Sequence, residues 1–414
     1  MADFQSINAL FDKQEFLPKY KHKRWVKIQD NNINNYEAPI KYNCKNVQDK
    51  LVDYRDGYVL LTGQLVSTTN DALAAGNNIG IKNGSNCVVK TATVYLNNVE
   101  INKNHHVYLT TNILNLVEYS DDYARSTAEQ YAFAKDSVSD STSTGLVRRN
   151  IIARGAFADH AFPITIMIPL SYMNTFFRRL ECPIINNLVE IEWEGNFINC
   201  ILRANDVQAS RLNVISTELY LPIIELPKEY ESKMFSLLSK KLVKELTWDH
   251  LNVHIISGWT TGHFDREITS SLNGVRKMFV MAIPEANWIN QTRSETTTNT
   301  AISNINVVID SEDYYPQDVR TDYEAYQLLT EVMNAQGRDV TTGSLISYSE
   351  FKILYRIYGF DLSRQRVLES DPRKSQSIRL RGDLPPGNSK LVVILSQNKT
   401  TFIDMVEPYN TKTI

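Results

Sequence analysis

The sequence predicts a mainly β chain made of two consecutive sandwich- or barrel-type units. Three observations predict it. Short apolar, β-branched runs recur along most of the 414 residues, separated by polar loops and few helices. The pattern occurs twice, on either side of a charged, helix-compatible stretch over 227–247. Glycine and proline are scarce, at 16 and 13 residues, well under the usual ~7% and ~5% of a chain. Turns must therefore use other residues. The pairs Asn31-Asn32, Asn77-Asn78, Asn97-Asn98 and Asn186-Asn187 supply them, because Asn tolerates the left-handed conformation.

Composition narrows the class. The length suits two or three domains at roughly 100–200 residues each. Forty-four Lys and Arg stand against 47 Asp and Glu, a net charge of −3. A polybasic nucleic-acid coat or membrane binder is more lopsided. Hydrophobic residues at 43% and charged residues at 22% are ordinary for a folded chain. Met-Ala-Asp-Phe-Gln-Ser does not read as a signal peptide. No apolar run reaches the ~18 residues of a membrane span.

The first 48 residues differ from the rest. Lys19, Lys21, Lys23, Arg24 and Lys27 lie between Leu17 and Ile28 with no acid among them. They predict a basic arm, either solvated or touching phosphate or an acidic partner. Tyr20 and Trp25 interleave with the cations. From Asp49 the chain turns strand-like. Residues 58–66 form a strand, and 87–96 and 99–101 form a hairpin across Asn97-Asn98. Residues 137–145 are a polar loop. A strand follows between Pro163 and Pro169, and Ser171 caps a short helix through Leu180. Residues 188–193 and 213–221 are strands. In the former, Glu190 and Glu192 alternate with Val189, Ile191 and Trp193, giving one wet and one buried face.

The second unit repeats this pattern. Residues 252–256, 277–284 and 303–310 read as strands, and 290–300 as an exposed Ser/Thr/Asn loop. Thr321-Asp322-Tyr323-Glu324 is a capping box. It opens a helix with Ala325, Leu328, Leu329 and Val332 as its apolar stripe and Gly337 as its end. Phe351, Ile353, Tyr355 and Ile357 alternate as in a strand, and 391–395 and 401–406 are the last two strands. The resulting plan is an arm over 1–48, a first unit over 49–226, a connection over 227–247, and a second unit with its tail over 248–414.

The chemistry-bearing motifs are mostly missing. Gly76 to Lys82 has the wrong spacing for a phosphate loop, and neither GxGxxG nor GxSxG occurs. His250 and His254 share a strand face, with His263 and Asp265 beyond. Ordinary satisfied histidines are preferred to a metal pair there. His105 and His106 are adjacent and point oppositely in a strand. Asp121-Asp122 and Glu312-Asp313 have no base beside them in the sequence. Cys44, Cys87, Cys182 and Cys200 lack the paired spacing of a zinc site and read as reduced and buried. Arg381-Gly382-Asp383 is an adhesion-type tripeptide, placed on an exposed turn by the Leu-Pro-Pro-Gly that follows. The sequons at Asn83, Asn290 and Asn398 are read as silent. The expectation is a non-enzyme with no catalytic, metal or cofactor residues.

Several segments resemble the major capsid proteins of Polinton-type elements, their virus relatives and virophages, within the double jelly-roll lineage. Residues 115–124, Asn-Leu-Val-Glu-Tyr-Ser-Asp-Asp-Tyr-Ala, resemble the family's "LLEYS…DYA" stretch. Ile168-Pro169-Leu170-Ser171-Tyr172-Met173 through Phe176-Phe177 resembles its strand-to-helix segment, followed by the strand at 187–191. Tyr358-Gly359-Phe360-Asp361-Leu362-Ser363-Arg364-Gln365 resembles a hallmark of the second half. The resemblance implies two tandem eight-stranded jelly-roll β-sandwiches with short helices in the connecting loops. It implies a homotrimer of pseudo-hexameric outline, tiling an icosahedral shell around double-stranded DNA, assembled in the host cell and located in the virion. Partners would be further copies, penton and minor capsid proteins, and packaged DNA. Segments 137–145 and 290–300 would be exposed or intersubunit loops. The alternative is a β-sandwich binding module, such as a glycan-binding, vertex or fibre protein.

Overall fold

Pairing between the named strands is antiparallel throughout, and the two halves of the chain repeat one order of pairing. A computed structural model describes residues 22–31, 36–71, 73, 79–154, 163–238, 243–259, 262–333, 343–363, 376–404 and 412–413. The first half contains β1 (His22–Gln29), β2 (Ile40–Asn43), β3 (Tyr58–Ser67), β4 (Ile79–Ile81), β5 (Val89–Leu96), β6 (Val99–His105), β7 (Ile164–Pro169), β8 (Val189–Gly195), β9 (Ile201–Arg203) and β10 (Ser210–Glu225). Its sheets run β1-β10-β3-β7 and β2-β8-β5-β6, with β4-β9 as a separate ribbon. The second half contains β11 (Val243–Trp259), β12 (Gly262–Leu272), β13 (Val275–Pro284), β14 (Ser303–Ile309), β15 (Glu312–Asp313), β16 (Tyr358–Asp361), β17 (Gln376–Leu384), β18 (Ser389–Asp404) and β19 (Lys412–Thr413). Its sheets run β11-β18-β13-β16 and β12-β17-β14-β15, with β19 beside β18.

Without the ribbon and β19, each half has eight strands. In both, one sheet joins the first, eighth, third and sixth, and the other joins the second, seventh, fourth and fifth. That order is the jelly roll, and the chain is two of them in tandem. Alternation builds the faces. In β17, Ile378, Leu380 and Leu384 are buried while Arg379, Arg381 and Asp383 face outward. Turn chemistry is as expected. Asn97 and Asn98 sit at φ 51° and 65°, the two left-handed positions of a tight hairpin. Six of the eleven described non-glycine residues with positive φ are Asn, including Asn186, so Asn takes the role that scarce glycine leaves open. Asn32, Asn77-Asn78 and Gly337 lie outside the described residues.

Several expectations are corrected. The first jelly roll begins at His22, not at residue 49, because β1 pairs with β10 from His22↔Glu225 to Gln29↔Glu218. Cations obscure this strand in the sequence; charged side chains suit an edge position. The connection carries a helix, Lys228–Leu238, and β11 begins at Val243. Residues Tyr348–Ile353 are a helix and not a strand. Ser347 and Glu350 form a second capping box, which outweighs the local alternation. The final two strands are one, β18. The segment after β7 forms two short helices, Leu170–Met173 and Thr175–Arg178, the second capped by Asn174 and not by Ser171. Helix Val107–Glu118 carried no amphipathic signal because it is buried nearly all round.

Two hydrophobic cores fill the sandwiches, and each borrows from the other half. Leu246, Trp248 and Ile403 belong to the first core, where Trp248 packs edge-on against Phe176 at 5.5 Å. Leu109, Ile113, Leu116 and Phe133 of the long β6–β7 excursion belong to the second. The four cysteines are buried free thiols, as expected.

The β5–β6 turn is testable by substitution. Asn98→Val forces a β-branched residue to positive φ and is expected to cost about 1–2 kcal/mol. Asn98→Gly is expected to be at least neutral. Chemical denaturation of the two variants measures the difference.

Candidate functional site

Polar residues concentrate where the two jelly rolls meet. Lys82, next to β4, donates from Nζ to Glu295 Oε1 at 2.8 Å, and both side chains are almost fully buried. Glu295 lies on the excursion between β13 and β14. Around the pair, Asn83 Oδ1 accepts from Ser294 at 2.9 Å and from Thr296 at 3.3 Å, and Asn112 Nδ2 donates to Thr296 at 2.8 Å. Gln291 engages the first half with its whole amide. It donates to the carbonyls of Ser210 and Ile198 and accepts from Arg203 and the Ser210 amide.

A second buried pair stands beside the first. Arg149 donates to Asp136 at 2.8 Å and to the carbonyls of Ile81 and Ala134. Ser143 donates to the same carboxylate at 2.7 Å, and Tyr355 of the second half donates to the Asp136 carbonyl at 2.9 Å. Lys135 reaches Glu350 and the Leu345 carbonyl. The predicted exposed loops are therefore corrected. Residues Ser294–Thr298 are buried, as are Ser141 and Ser143, and the loops meet through Ser294 N to Ser139 O and Arg293 to Asp140. Their hydroxyl-rich composition reads as exposed, but short hydroxyls can saturate one another inside a protein. Asn83, the first sequon, is buried in this network.

The remaining sequence-selected residues are scattered. Lys19, Lys21 and Tyr20 lie outside the described residues. Lys23 and Lys27 sit on β1, paired with Asp53 and Asp56 and with Glu218, so Glu218 holds the Lys27 ammonium above its usual pKa. Arg24 is exposed on the same strand. Arg381-Gly382-Asp383 is not on a turn. It lies inside β17, between β12 and β14, because its alternation fits the sheet. Arg381 bridges Asp313 and Asp318, and Asp383 bonds Asn304 and His263. His250 and His254 lie on β11. His250 Nδ1–H donates to Asn102 Oδ1 of the first half at 2.6 Å. Burial, helped by Lys399, pushes its pKa down to about 4. Among the described residues, no three His, Cys, Asp or Glu side chains cluster as a metal site. An open cleft of about 660 Å³ beside β1 is lined by Trp25, Tyr58, Tyr119, Tyr123, Tyr131 and Tyr172, among others. Among the described residues, no helix is long and apolar enough to cross a membrane.

The seam's polar groups are bonded to one another and to backbone. Such an arrangement holds two units in fixed register rather than activating a nucleophile. Sequence reasoning missed the seam because its partners lie far apart in the chain, Lys82 and Glu295 above all.

No protein-family model matches the chain, and no curated protein matches it in sequence. Solved structures do match in fold. A chain in the cryo-EM structure of the Sputnik virophage aligns with a TM-score of 0.65 at 10% identity, covering 97% of this chain and 90% of that one. The mavirus major capsid protein aligns with a TM-score of 0.56 at 12% identity, over 97% and 91%. The Faustovirus major capsid protein aligns with a TM-score of 0.55 at 9% identity, over 94% and 92%. The likeness spans both jelly rolls.

Two outcomes follow from the seam. Lys82→Met leaves Glu295 as a buried unpaired charge and is expected to cost about 3–5 kcal/mol, with most of the loss recovered in Lys82→Met/Glu295→Leu. Denaturant melts of both variants check this. His250 is held neutral in the fold, whereas in the unfolded chain it takes up a proton near 6.5. Its stabilising contribution is thus lost as pH falls from about 6.5 toward 4. Melting temperature against pH is expected to fall less steeply over that window in His250→Gln than in the unaltered protein.

Proposed function

We propose that this chain is a structural major capsid protein of the double jelly-roll lineage. Three copies form a pseudo-hexameric capsomer, and capsomers tile an icosahedral shell around double-stranded DNA. The observation that carries the reading is the exact repetition of one strand order in two halves locked together by a buried seam. A chain with two like units supplies two positions of a six-unit ring, and three chains complete it. The fold likeness to the mavirus and Faustovirus major capsid proteins over more than nine-tenths of the chain supports it. The near-neutral charge suits a surface that packs against copies of itself, and shells are built from broad interfaces. The protein would act in the virion after assembly in the host cell, alongside penton and minor capsid proteins. Lys19, Lys21 and Arg24 would supply contact with packaged DNA or a neighbouring capsomer, since Lys23 and Lys27 are engaged by carboxylates of the first jelly roll.

Electron microscopy of the purified protein is expected to show trimers of hexagonal outline or closed shells. Only monomers at high concentration, under every condition tried, would overturn the reading. Neutralising Lys19, Lys21 and Arg24 is expected to leave trimers intact and to weaken shell assembly or DNA retention.

A further inference from the structure

Large apolar side chains stand exposed on matching excursions of the two jelly rolls, those between the fifth and sixth main strands. In the first, helix Thr144–Arg154 is anchored by Arg149, which is buried beneath it. At 3.6 residues per turn, positions two before and two after a residue lie on the opposite face, together on one ridge. Val147 and Ile151 occupy those positions and are 54% and 59% exposed. In the second, Phe351 of helix Tyr348–Ile353 is fully buried, and Ile353, two residues on, is 68% exposed. Tyr323, equally exposed, begins the neighbouring helix, whose Asp322 is bridged to Arg356 just after Ile353.

Both surfaces are turned away from the seam. Asp136, which binds Arg149, and Glu350, beside Phe351, are the groups through which the two excursions meet within the chain. The outer ridges are what remains on the far side of each excursion. The charges beside them are paired internally, Arg148 to Glu129 and Arg356 to Asp322. Burial of apolar surface is then the force available to them.

We infer that these faces cover each other between copies: the Val147–Ile151 ridge of one chain packs on the Tyr323–Ile353 face of the next. The inference rests on the capsomer reading and names its contact. It is favoured by continuity with the seam, where the first excursion already packs on the second inside one chain. The contact between chains repeats that pairing with the outer sides. The two faces differ, so the contact is head-to-tail, and a closed ring leaves neither face uncovered.

Full-length Ile151→Cys and Ile353→Cys chains, mixed and treated with copper phenanthroline in air, test this. One thiol from each copy would form a disulfide, with two electrons and two protons passing to oxygen. The native cysteines are buried. Cross-linked chains are expected in the mixture and not in either variant alone. In parallel, Val147→Asp/Ile151→Asp is expected to weaken trimer formation at least tenfold by light scattering while circular dichroism stays unchanged. Trimers without mixed cross-links, or trimers undisturbed by the aspartates, overturn this contact and leave the capsomer reading standing. Cross-linking in a single variant means a like-to-like face and also overturns it. An unaltered protein that never associates overturns both.

Discussion

The buried Lys82–Glu295 pair constrains the whole molecule. Two charges withdrawn from water gain little net stability even when paired, but losing one partner is severe. The pair therefore acts less as glue than as a registration pin. The excursion between β13 and β14 must enter the first jelly roll at one depth and one angle, or Glu295 is left uncompensated. Asn83, Asn112 and Gln291 extend the same demand over neighbouring positions, since each would be left with unsatisfied polar atoms in a shifted register.

Around that pin the halves exchange parts. Trp248 of the second jelly roll fills the first core, and helix Val107–Glu118 of the first fills the second. Neither sandwich is complete alone. A shell protein has reason for this construction. If two units of a ring are held rigidly within one chain, each capsomer has fewer independent joints to order during assembly. The β1 strand fits the same logic. Its cations sit on a sheet edge, where charge discourages stray pairing, and carboxylates of the same jelly roll hold two of them.

Much of the fold was legible along the chain. Alternation in residues 188–193 revealed β8, Asn97-Asn98 marked a hairpin, and Thr321 to Glu324 announced a helix start. Each signal is local, carried by neighbours within a few residues. Errors came where a local signal was overruled. The alternation from Phe351 to Ile357 suggested a strand, yet the Ser347–Glu350 box three residues earlier was the stronger cue. Helix Val107–Glu118 has no polar face to betray its period, because both cores surround it.

The seam was not legible, for a different reason. Its loops looked like solvent-exposed segments, since Ser, Thr and Asn are common in both exposed turns and buried hydrogen-bond networks, and only the partner tells them apart. Lys82 and Glu295 are 213 residues apart, beyond any pattern that spacing can express. From its sequence alone, this protein was determined to be β-rich, doubled, turned by Asn and free of familiar catalytic motifs. These properties depend on period and composition. Which strands pair, which loops are buried, and that the basic segment is an edge strand were decided by tertiary structure, because burial and pairing are relations between distant residues.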